Sequence, residues 1–177
     1  MTIYIALLRG INVGKHNRIK MADLRNLLET MGLERVKTYI QSGNVLFEAN
    51  DDADRLSQQL EEEISKTFGF PVPVILRTSE EFEQIIRNCP YSMEALKEGE
   101  SIQLAFLADG PSQEKIDYLR NLDSEQDECF INGKEVYLYL RQSILDSKLA
   151  AQLPKLGVSV TVRNWKTVIK LSTMVGT

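Results

Sequence analysis

Several residue types are scarce in this sequence, and each scarcity argues against a class of function. The 177 residues include two cysteines, Cys89 and Cys129, which form no CxxC pattern, so neither a disulfide framework nor a zinc site is expected. The single histidine, His16, is the only one available for a metal site or a Ser-His-Asp triad. The sequence contains no run of 18 apolar residues, so no membrane-spanning helix is predicted. The first residues lack the basic region and cleavage site of a signal peptide, so we expect a cytoplasmic protein.

Acidic residues are absent from both ends of the chain. Residues 1–22 carry four cations and residues 147–177 carry five, whereas all 25 acids and the other 12 of the 21 cations lie in residues 23–146. Such a separation can attract anionic ligands to the basic segments, even though the net charge is −4. The alternative is that these segments are ordinary solvated surfaces.

Hydrophobic periodicity predicts the order βαββαβ in the first half of the chain. An apolar strand over residues 3–8 precedes a helix that starts near Met21. A hairpin then turns at residues 41–44, and a helix capped by Asp51 or Asp52 continues to about residue 68. The final strand, residues 72–77, contains Pro73, which indicates an edge position. This order is that of a ferredoxin-like unit.

The second half repeats this order after a linking helix with a capping box at Thr78 and Glu81. Its hairpin is predicted to turn at Asn132-Gly133, its second helix to span residues 145–153, and its last strand to span residues 158–162. A terminal helix follows. We therefore predict an α+β fold of two tandem ferredoxin-like (βαββαβ) units with mainly antiparallel sheets. The halves are residues 1–77 and 101–177, joined by a linking helix and connector over residues 78–100; the alternative is that they pack as one compact domain.

The predicted 145–153 helix presents a stripe of leucines, as an amphipathic helix should. These are Leu145, Leu149 and Leu153, spaced four residues apart. All three are therefore expected to face the core of the second half.

The sequence resembles a widespread bacterial family that is known only as a domain of unknown function. The shared motifs are LLRGINVG (7–14), KM-x2-L-x2-L from Lys20, TYIQSGNVLF (38–47), SKL (147–149) and RNWKTVIKL (163–171). The resemblance implies a small cytoplasmic bacterial protein with an α/β fold, and it supplies no activity, substrate or cofactor. Two departures weaken any role for flexible glycines. Lys15 stands where the family usually has glycine, and residues 141–146 replace a glycine-rich segment.

Two nucleotide-binding motifs are excluded by spacing. Gly10 and Gly14 are separated by three residues, where a Walker loop has four, and Lys15 is followed by His16 rather than Ser or Thr. The next helix does not start at once, as that motif requires. No GxGxxG motif occurs, so a Rossmann cofactor site is not supported.

The predicted topology brings two polar loops together and defines the main candidate site. In a ferredoxin-like sheet the first two strands are parallel with the third between them, so the loop at 9–15 and the turn at 41–44 lie at one sheet end. Two strand spacings separate them by about 10 Å, which side chains can bridge. Arginine, lysine and amide groups at such an end suit a phosphate or carboxylate. The candidates are Arg9, Asn12, Lys15, Gln41, Ser42 and Asn44. The alternative is that they only tie the loop to the turn.

A second cluster follows the last predicted strand. Its members are Arg163, Asn164, Trp165 and Lys166. Two cations beside a tryptophan can stack on and neutralise a nucleotide or nucleic acid. The alternative is that Asn164 caps the helix while Trp165 packs in the core. Tyr137 and Tyr139 alternate on one strand face, as stacking aromatics do. Because no RRM signature accompanies them, core or half-exposed tyrosines are the favoured interpretation.

Three function hypotheses from different classes follow from these patterns. The first is non-catalytic binding of a small phosphate- or carboxylate-bearing ligand at residues 9–15 and 41–44. The second is an enzyme acting on a phosphorylated small molecule at the same place. The third is a nucleic-acid or protein interaction module, which the acidic overall composition disfavours for nucleic acid.

Overall fold

The computed structural model describes residues 1–122 and 126–176, and they form two compact units. Unit 1 comprises Met1–Gln84 and the chain from Lys170 onward, and unit 2 comprises Ile85–Ile169. The architecture is α+β with two four-stranded antiparallel sheets, one in each unit. The predicted tandem of two ferredoxin-like units, with a linking helix and a C-terminal helix, is confirmed.

Unit 1 is built around a sheet with the strand order β2-β3-β1-β4. Because β3 pairs antiparallel with both β1 and β2, those two strands run parallel with β3 between them. Strand β4 forms the edge beside β1, which confirms the edge position that Pro73 indicated. The elements of unit 1 are β1 (Thr2–Leu8), α1 (Met21–Thr30), β2 (Glu34–Tyr39), β3 (Asn44–Ala49), α2 (Ala53–Phe68) and β4 (Val74–Thr78).

The helices of unit 1 begin and end where the chain offers capping groups, with one exception. The side chain of Asp52 accepts a hydrogen bond from the Arg55 backbone N–H at 2.9 Å, which starts α2. Gly69 ends that helix in the left-handed conformation, at φ 87°. Lys20 precedes α1 and provides no side-chain cap, so the first turn of α1 lacks the usual acceptor.

The core of unit 1 lies between one sheet face and the helices α1 and α2. Alternate strand residues and the helix stripes meet there, and each fully buried large aliphatic contributes about 1.5–3 kcal/mol relative to exposure. Fully buried members include Leu8, Val45, Phe47, Leu24, Leu28, Leu56, Leu60 and Ile64. The C-terminal segment also touches this unit, because the Lys37 Nζ donates to the Met174 carbonyl at 3.3 Å.

Unit 2 repeats the arrangement with the strand order β6-β7-β5-β8. Its core packs Leu119, Leu149, Leu153 and Leu156 against the sheet.

Helix α3, the linking helix, begins with the predicted capping box, since Glu81 N donates to Thr78 Oγ1 at 3.1 Å and Thr78 N donates to Glu81 Oε1 at 2.9 Å. The remaining elements are α3 (Ser79–Arg87), β5 (Ser101–Leu107), α4 (Gln113–Arg120), β6 (Glu128–Asn132), β7 (Glu135–Leu140), α5 (Lys148–Ala151), β8 (Val160–Asn164) and α6 (Trp165–Met174).

The prediction of one helix over residues 145–153 was wrong in its length and in placing Leu145 in the core. The segment is instead a 3-10 turn at Ile144–Asp146, the short helix α5, and a second 3-10 turn at Leu153–Leu156. Ser143 and Ser147 each cap a new start through their side chains, and these caps divide the run. As a result Leu149 and Leu153 are buried, whereas Leu145 is 92% exposed.

The hairpin of unit 2 turns one residue later than its sequence suggested. Asn132 still pairs with Glu135, so the two-residue connection is Gly133-Lys134 rather than Asn132-Gly133. Gly133 adopts φ 60° and Asn132 does not enter the positive-φ region. The glycine therefore supplies the required backbone freedom while the asparagine ends the strand.

Candidate functional site

Three connections meet at one end of the sheet in unit 1. They are the loop of residues 9–20, the hairpin turn of residues 40–43 and the α2–β4 connection of residues 69–73. Leu8 N donates to Gly43 O at 2.9 Å, and Arg9 N donates to Pro73 O at 3.0 Å. The expected proximity of the first loop to the hairpin turn is thus observed, and the α2–β4 connection joins them because β4 runs antiparallel to β1.

The 9–20 loop is compact because it folds back on itself. Gly10, Asn12, Gly14 and Asn17 all have positive φ, which glycine and asparagine tolerate better than other residues. Asn12 N donates to Asn17 O at 2.9 Å, and the Arg18 Nη1 donates to Gly14 O at 3.0 Å. This geometry differs from a Walker loop, which leads directly into a helix.

Asn12 holds the loop to the hairpin turn. Its Nδ2 donates to Gln41 O at 2.7 Å and to Ile19 O at 3.0 Å, while its Oδ1 accepts from Ile19 N at 2.9 Å. The amide is therefore used by the protein itself. Asn12 therefore acts as a brace between the loop and the turn, and its role as a ligand-binding residue stays a prediction.

Asn44 and Ser42 are also engaged within the protein. Asn44 is 0% exposed, and its Nδ2 donates to Tyr39 O and to the Ser42 Oγ, both at 3.0 Å. These contacts stabilise the turn between β2 and β3. In this conformation Asn44 presents no surface to solvent, so its role as a ligand-binding residue stays a prediction.

Gly43 places the turn directly against the loop. It has φ 90°, and a Cβ added there would lie 2.7 Å from Ile11 Cδ1 and 2.8 Å from Leu8 Cβ. Ile40, three residues earlier, has φ 49° and is 47% exposed. A left-handed β-branched residue is unusual, and such strain is often found at functional sites.

A groove, here called the α1 groove, opens between the 9–20 loop, the start of α1 and the end of α2. Its volume is about 650 Å³. Six of its eight lining residues are not among the predicted site residues, and they include Arg18, Lys20 and the α2 residue Phe68. The cationic composition of residues 1–22 pointed to the first two. The lining residues are Asn12, Arg18, Ile19, Lys20, Met21, Asp23, Gln41 and Phe68.

The cations of this loop are exposed to solvent. Arg9, Lys15, Arg18 and Lys20 make no ion pair with any carboxylate of residues 1–122 and 126–176. Arg18 and Lys20 line the α1 groove, whereas Arg9 and Lys15 lie on the loop outside its lining. Asp23 also lines the groove, within the first turn of α1.

The second predicted cluster belongs to unit 2 and is largely structural. Asn164 Oδ1 accepts from Thr167 N at 2.9 Å and so caps α6. Trp165 is 6% exposed, and its ring centroid lies 6.4 Å from that of Tyr137. Desolvation by burial lowers the pKa of Arg163 to about 10, and its Nη1 donates to Val162 O at 3.1 Å. Lys166 is exposed.

The two tyrosines proposed as stacking groups are buried. Tyr137 is 1% exposed and its hydroxyl donates to Ile85 O, while Tyr139 is 8% exposed and its hydroxyl donates to Glu100 Oε1 at 2.7 Å. Neither ring offers a free face of the kind that single-stranded nucleic acid stacks on. The favoured interpretation of both tyrosines as core residues is therefore confirmed.

Asp127 is the centre of a buried polar network in unit 2. It is 5% exposed, and its Oδ2 accepts from Ser147 Oγ at 2.7 Å and from Gln142 Nε2 at 2.8 Å. Its Oδ1 accepts from Arg141 N at 2.9 Å. Burial raises the pKa of this carboxyl, but the hydrogen bonds from Gln142, Ser147 and Arg141 outweigh it and leave the pKa below its ordinary value.

Membrane-spanning helices and metal-binding clusters are both absent from the part of the chain that the structure describes. None of its helices is both long and apolar enough to cross a bilayer. It contains no group of three or more His, Cys, Asp or Glu side chains arranged to hold a metal ion.

The fold and this groove define a class: an α+β protein of two ferredoxin-like units, with a cationic groove at one sheet end of the first. The chain belongs to the DUF1697 family of proteins of unknown function, whose model matches residues 1–137. The suspected membership of a bacterial family of unknown function is thereby confirmed.

Two solved structures are similar to this chain to very different degrees. The conserved bacterial protein SP0830 from Streptococcus pneumoniae is 28% identical, with a TM-score of 0.81 over 98% of each chain. An unknown protein from Galdieria sulphuraria is 8% identical with a TM-score of 0.24, over 92% of this chain and 97% of that one, which is too low to bear on the fold. No curated protein matches this chain.

Proposed function

We propose that this protein binds a small phosphate- or carboxylate-bearing ligand in the α1 groove of unit 1. The observation that carries the proposal is that Arg18 and Lys20 line one groove and form no ion pair within the described chain. An arginine can grip an anion with two parallel hydrogen bonds, and a lysine adds a mobile point charge. Gln41, which is exposed at the groove, adds an amide donor.

The start of α1 supports the same proposal. Backbone N–H groups in a first helical turn attract anions, and here Lys20 supplies no side-chain acceptor for them. Asp23 lies in the same turn and offsets part of the positive charge. We therefore expect a ligand with one small anionic group rather than a polyanion such as nucleic acid.

The groove rather than the whole 9–15 loop is proposed as the site, with Asn12 as its brace. The side chains of Arg9 and Lys15 are close in sequence and can attract the anion electrostatically from outside the lining. Asn44 and Ser42 support the hairpin turn that carries Gln41. Catalysis is not part of the proposal.

Titration with inorganic phosphate and with acetate at low ionic strength tests the proposal. We expect amide shifts in residues 9–23 and 41–44 at millimolar concentration, measured by ¹H–¹⁵N NMR. Charge-assisted hydrogen bonds contribute about 1.5–3 kcal/mol each, so Arg18→Ala and Lys20→Ala should each weaken binding about tenfold.

Arg55→Ala is the matched control, because Arg55 is an exposed cation at the other end of α2 from Phe68. At a rise of about 1.5 Å per residue the two positions are about 20 Å apart. Binding in this variant should equal that of the wild type. Equal losses in all three variants, or no shifts at 20 mM ligand (about twentyfold above a Kd of 1 mM), would contradict a groove site.

A further inference from the structure

We infer that the anion bound in the α1 groove is a phosphate monoester of mononucleotide size, with a flat heteroaromatic ring in its organic part; this inference rests on the proposed function. Size is the first reason. The groove volume of about 650 Å³ lies inside the range of 300–1,000 Å³ typical of sites for drug-sized ligands. A lone phosphate would leave most of it filled with water.

The groove walls differ in chemistry, which is the second reason. Arg18, Lys20 and Gln41 form a polar side, while Met21 and Phe68 bring apolar atoms from the start of α1 and the end of α2. Both apolar side chains are only partly buried, although they pack against the core of unit 1. A ligand that is anionic at one end and apolar at the other would match this division.

Phe68 and Met21 favour a planar ring over an aliphatic chain. An aromatic face prefers offset or edge-to-face contact with another ring, and a thioether adapts its shape to aromatic surfaces. The Gln41 side chain, exposed beside them, carries one amide that both donates and accepts. Such an amide can bond to the edge of a heteroaromatic ring that carries both kinds of group.

A polynucleotide is the less favoured occupant of the same groove. Binding along a nucleic-acid backbone needs several cations in a track and exposed aromatic platforms. Asp23 interrupts the cationic lining here, and the chain has a net charge of −4. A single phosphate next to a single ring fits these residues better than a repeating polymer.

Three probes that share chemical parts test the inference by NMR titration. They are adenosine 5′-monophosphate, ribose 5-phosphate (which lacks the ring) and adenosine (which lacks the phosphate). Stacking of a base on an aromatic side chain raises affinity about tenfold, so the nucleotide should bind about tenfold more tightly than ribose 5-phosphate. Adenosine should bind more weakly than either.

Phe68→Leu should reduce the advantage of the nucleotide to about threefold or less while leaving ribose 5-phosphate binding unchanged. Arg18→Ala should weaken both phosphates by the same factor. Met21→Ala provides a second apolar variant if Phe68→Leu alters the amide spectrum outside the groove. These opposite patterns separate contacts with the ring from contacts with the phosphate.

The outcomes divide cleanly. If ribose 5-phosphate binds and the nucleotide binds no more tightly, the ring inference is overturned and the proposed function stands. If neither phosphate binds at 20 mM (about twentyfold above a Kd of 1 mM), and inorganic phosphate and acetate also cause no shifts, the proposed function falls as well. If a single-stranded hexanucleotide binds more than tenfold tighter than the mononucleotide at equal salt, a nucleic-acid ligand replaces the one inferred here.

Discussion

Gly43→Ala is expected to destabilise unit 1 by about 3 kcal/mol, because two separate costs fall on one methyl group. The residue has φ 90°, a conformation that costs a non-glycine residue about 1–2 kcal/mol. The added Cβ would also lie 2.7 Å from Ile11 Cδ1 and 2.8 Å from Leu8 Cβ. Overpacking of this kind typically costs about 1–3 kcal/mol.

Denaturant unfolding followed by far-UV circular dichroism, with amide hydrogen exchange of β1 and β3, measures the Gly43 effect. In a chain of this length 3 kcal/mol corresponds to a fall in Tm of about 6–12 °C. Gly69→Ala is the control, since Gly69 has φ 87° but no atoms within 4 Å of the added Cβ. It should lose only the conformational part, about 1 kcal/mol.

A double variant separates the clash from the backbone strain. Ile11→Val removes the Cδ1 atom that a Cβ at Gly43 would meet, so it should cost less in the Gly43→Ala background than in the wild type. Additive losses, or equal losses for Gly43→Ala and Gly69→Ala, would show that the turn does not press on the loop as described. Anion binding in the groove should also weaken in Gly43→Ala, because the turn carries Gln41.

Asp127→Asn is the second substitution expected to have a large effect, with a loss of about 3 kcal/mol from unit 2 at neutral pH. The side chain is 5% exposed and accepts three hydrogen bonds, from Arg141 N, Gln142 Nε2 and Ser147 Oγ. The asparagine would replace one carboxylate oxygen, which accepts, with an NH₂ group, which donates and would face the donors of these hydrogen bonds. Trp165, the single tryptophan, belongs to unit 2, so its fluorescence during urea unfolding reports the change.

The Asp127 effect should depend on pH in a definite direction. The pKa of this carboxyl is lower in the folded chain than in the unfolded chain, where it is about 3.9. The stabilisation is therefore complete above about pH 4–5 and is lost as the pH falls through the folded value. The difference between wild type and Asp127→Asn should shrink below about pH 4.

Asp109→Asn is the matched control, because Asp109 is an exposed carboxylate in the same unit. It removes the same charge and should change the free energy of unfolding by less than about 0.5 kcal/mol. A difference for Asp127→Asn that stays constant from pH 7 to pH 3.5, within the range of ordinary carboxyl titration, would contradict a stabilising ionised carboxylate.

The arrangement of segments at the sheet end was predictable because strand pairing determines it. Once residues 38–47 are recognised as a hairpin and the order as βαββαβ, Leu7 must approach Asn44. Antiparallel pairing of β4 with β1 brings in the end of α2 by the same logic. Phe68 could therefore have been added to the site from the sequence.

Whether a given side chain would bind a ligand or brace the backbone was not predictable, because the same residue types suit both roles. An asparagine in a glycine-rich loop can bind a ligand or brace the backbone, and the choice depends on which carbonyl groups come within 3 Å. For Asn12 these are the carbonyl groups of Ile19 and Gln41, which are distant from each other in sequence. Arg18 and Lys20 face the groove because the loop folds back through Asn17, which periodicity does not reveal.

The error at Leu145 has a similar origin. A leucine every fourth residue is typical of an amphipathic helix, and the pattern holds for Leu149 and Leu153. Serine side chains compete for backbone N–H groups, and Ser147 begins a new helix one turn too late for Leu145 to share its face. Here the serine caps, and not the spacing of the leucines, determine where the helix begins.

The contact between Lys37 and Met174 has a consequence for biosynthesis. Unit 1 contains Met1–Gln84 and also the segment from Lys170 onward, so one of its parts is synthesised before unit 2 and the other after it. The sheet of unit 1 can form on the nascent chain, but its full set of contacts must await synthesis of the segment from Lys170 onward. Unit 2, which is continuous in sequence, has every residue available before that moment. Unit 1, whose synthesis starts before that of unit 2, is therefore completed after it.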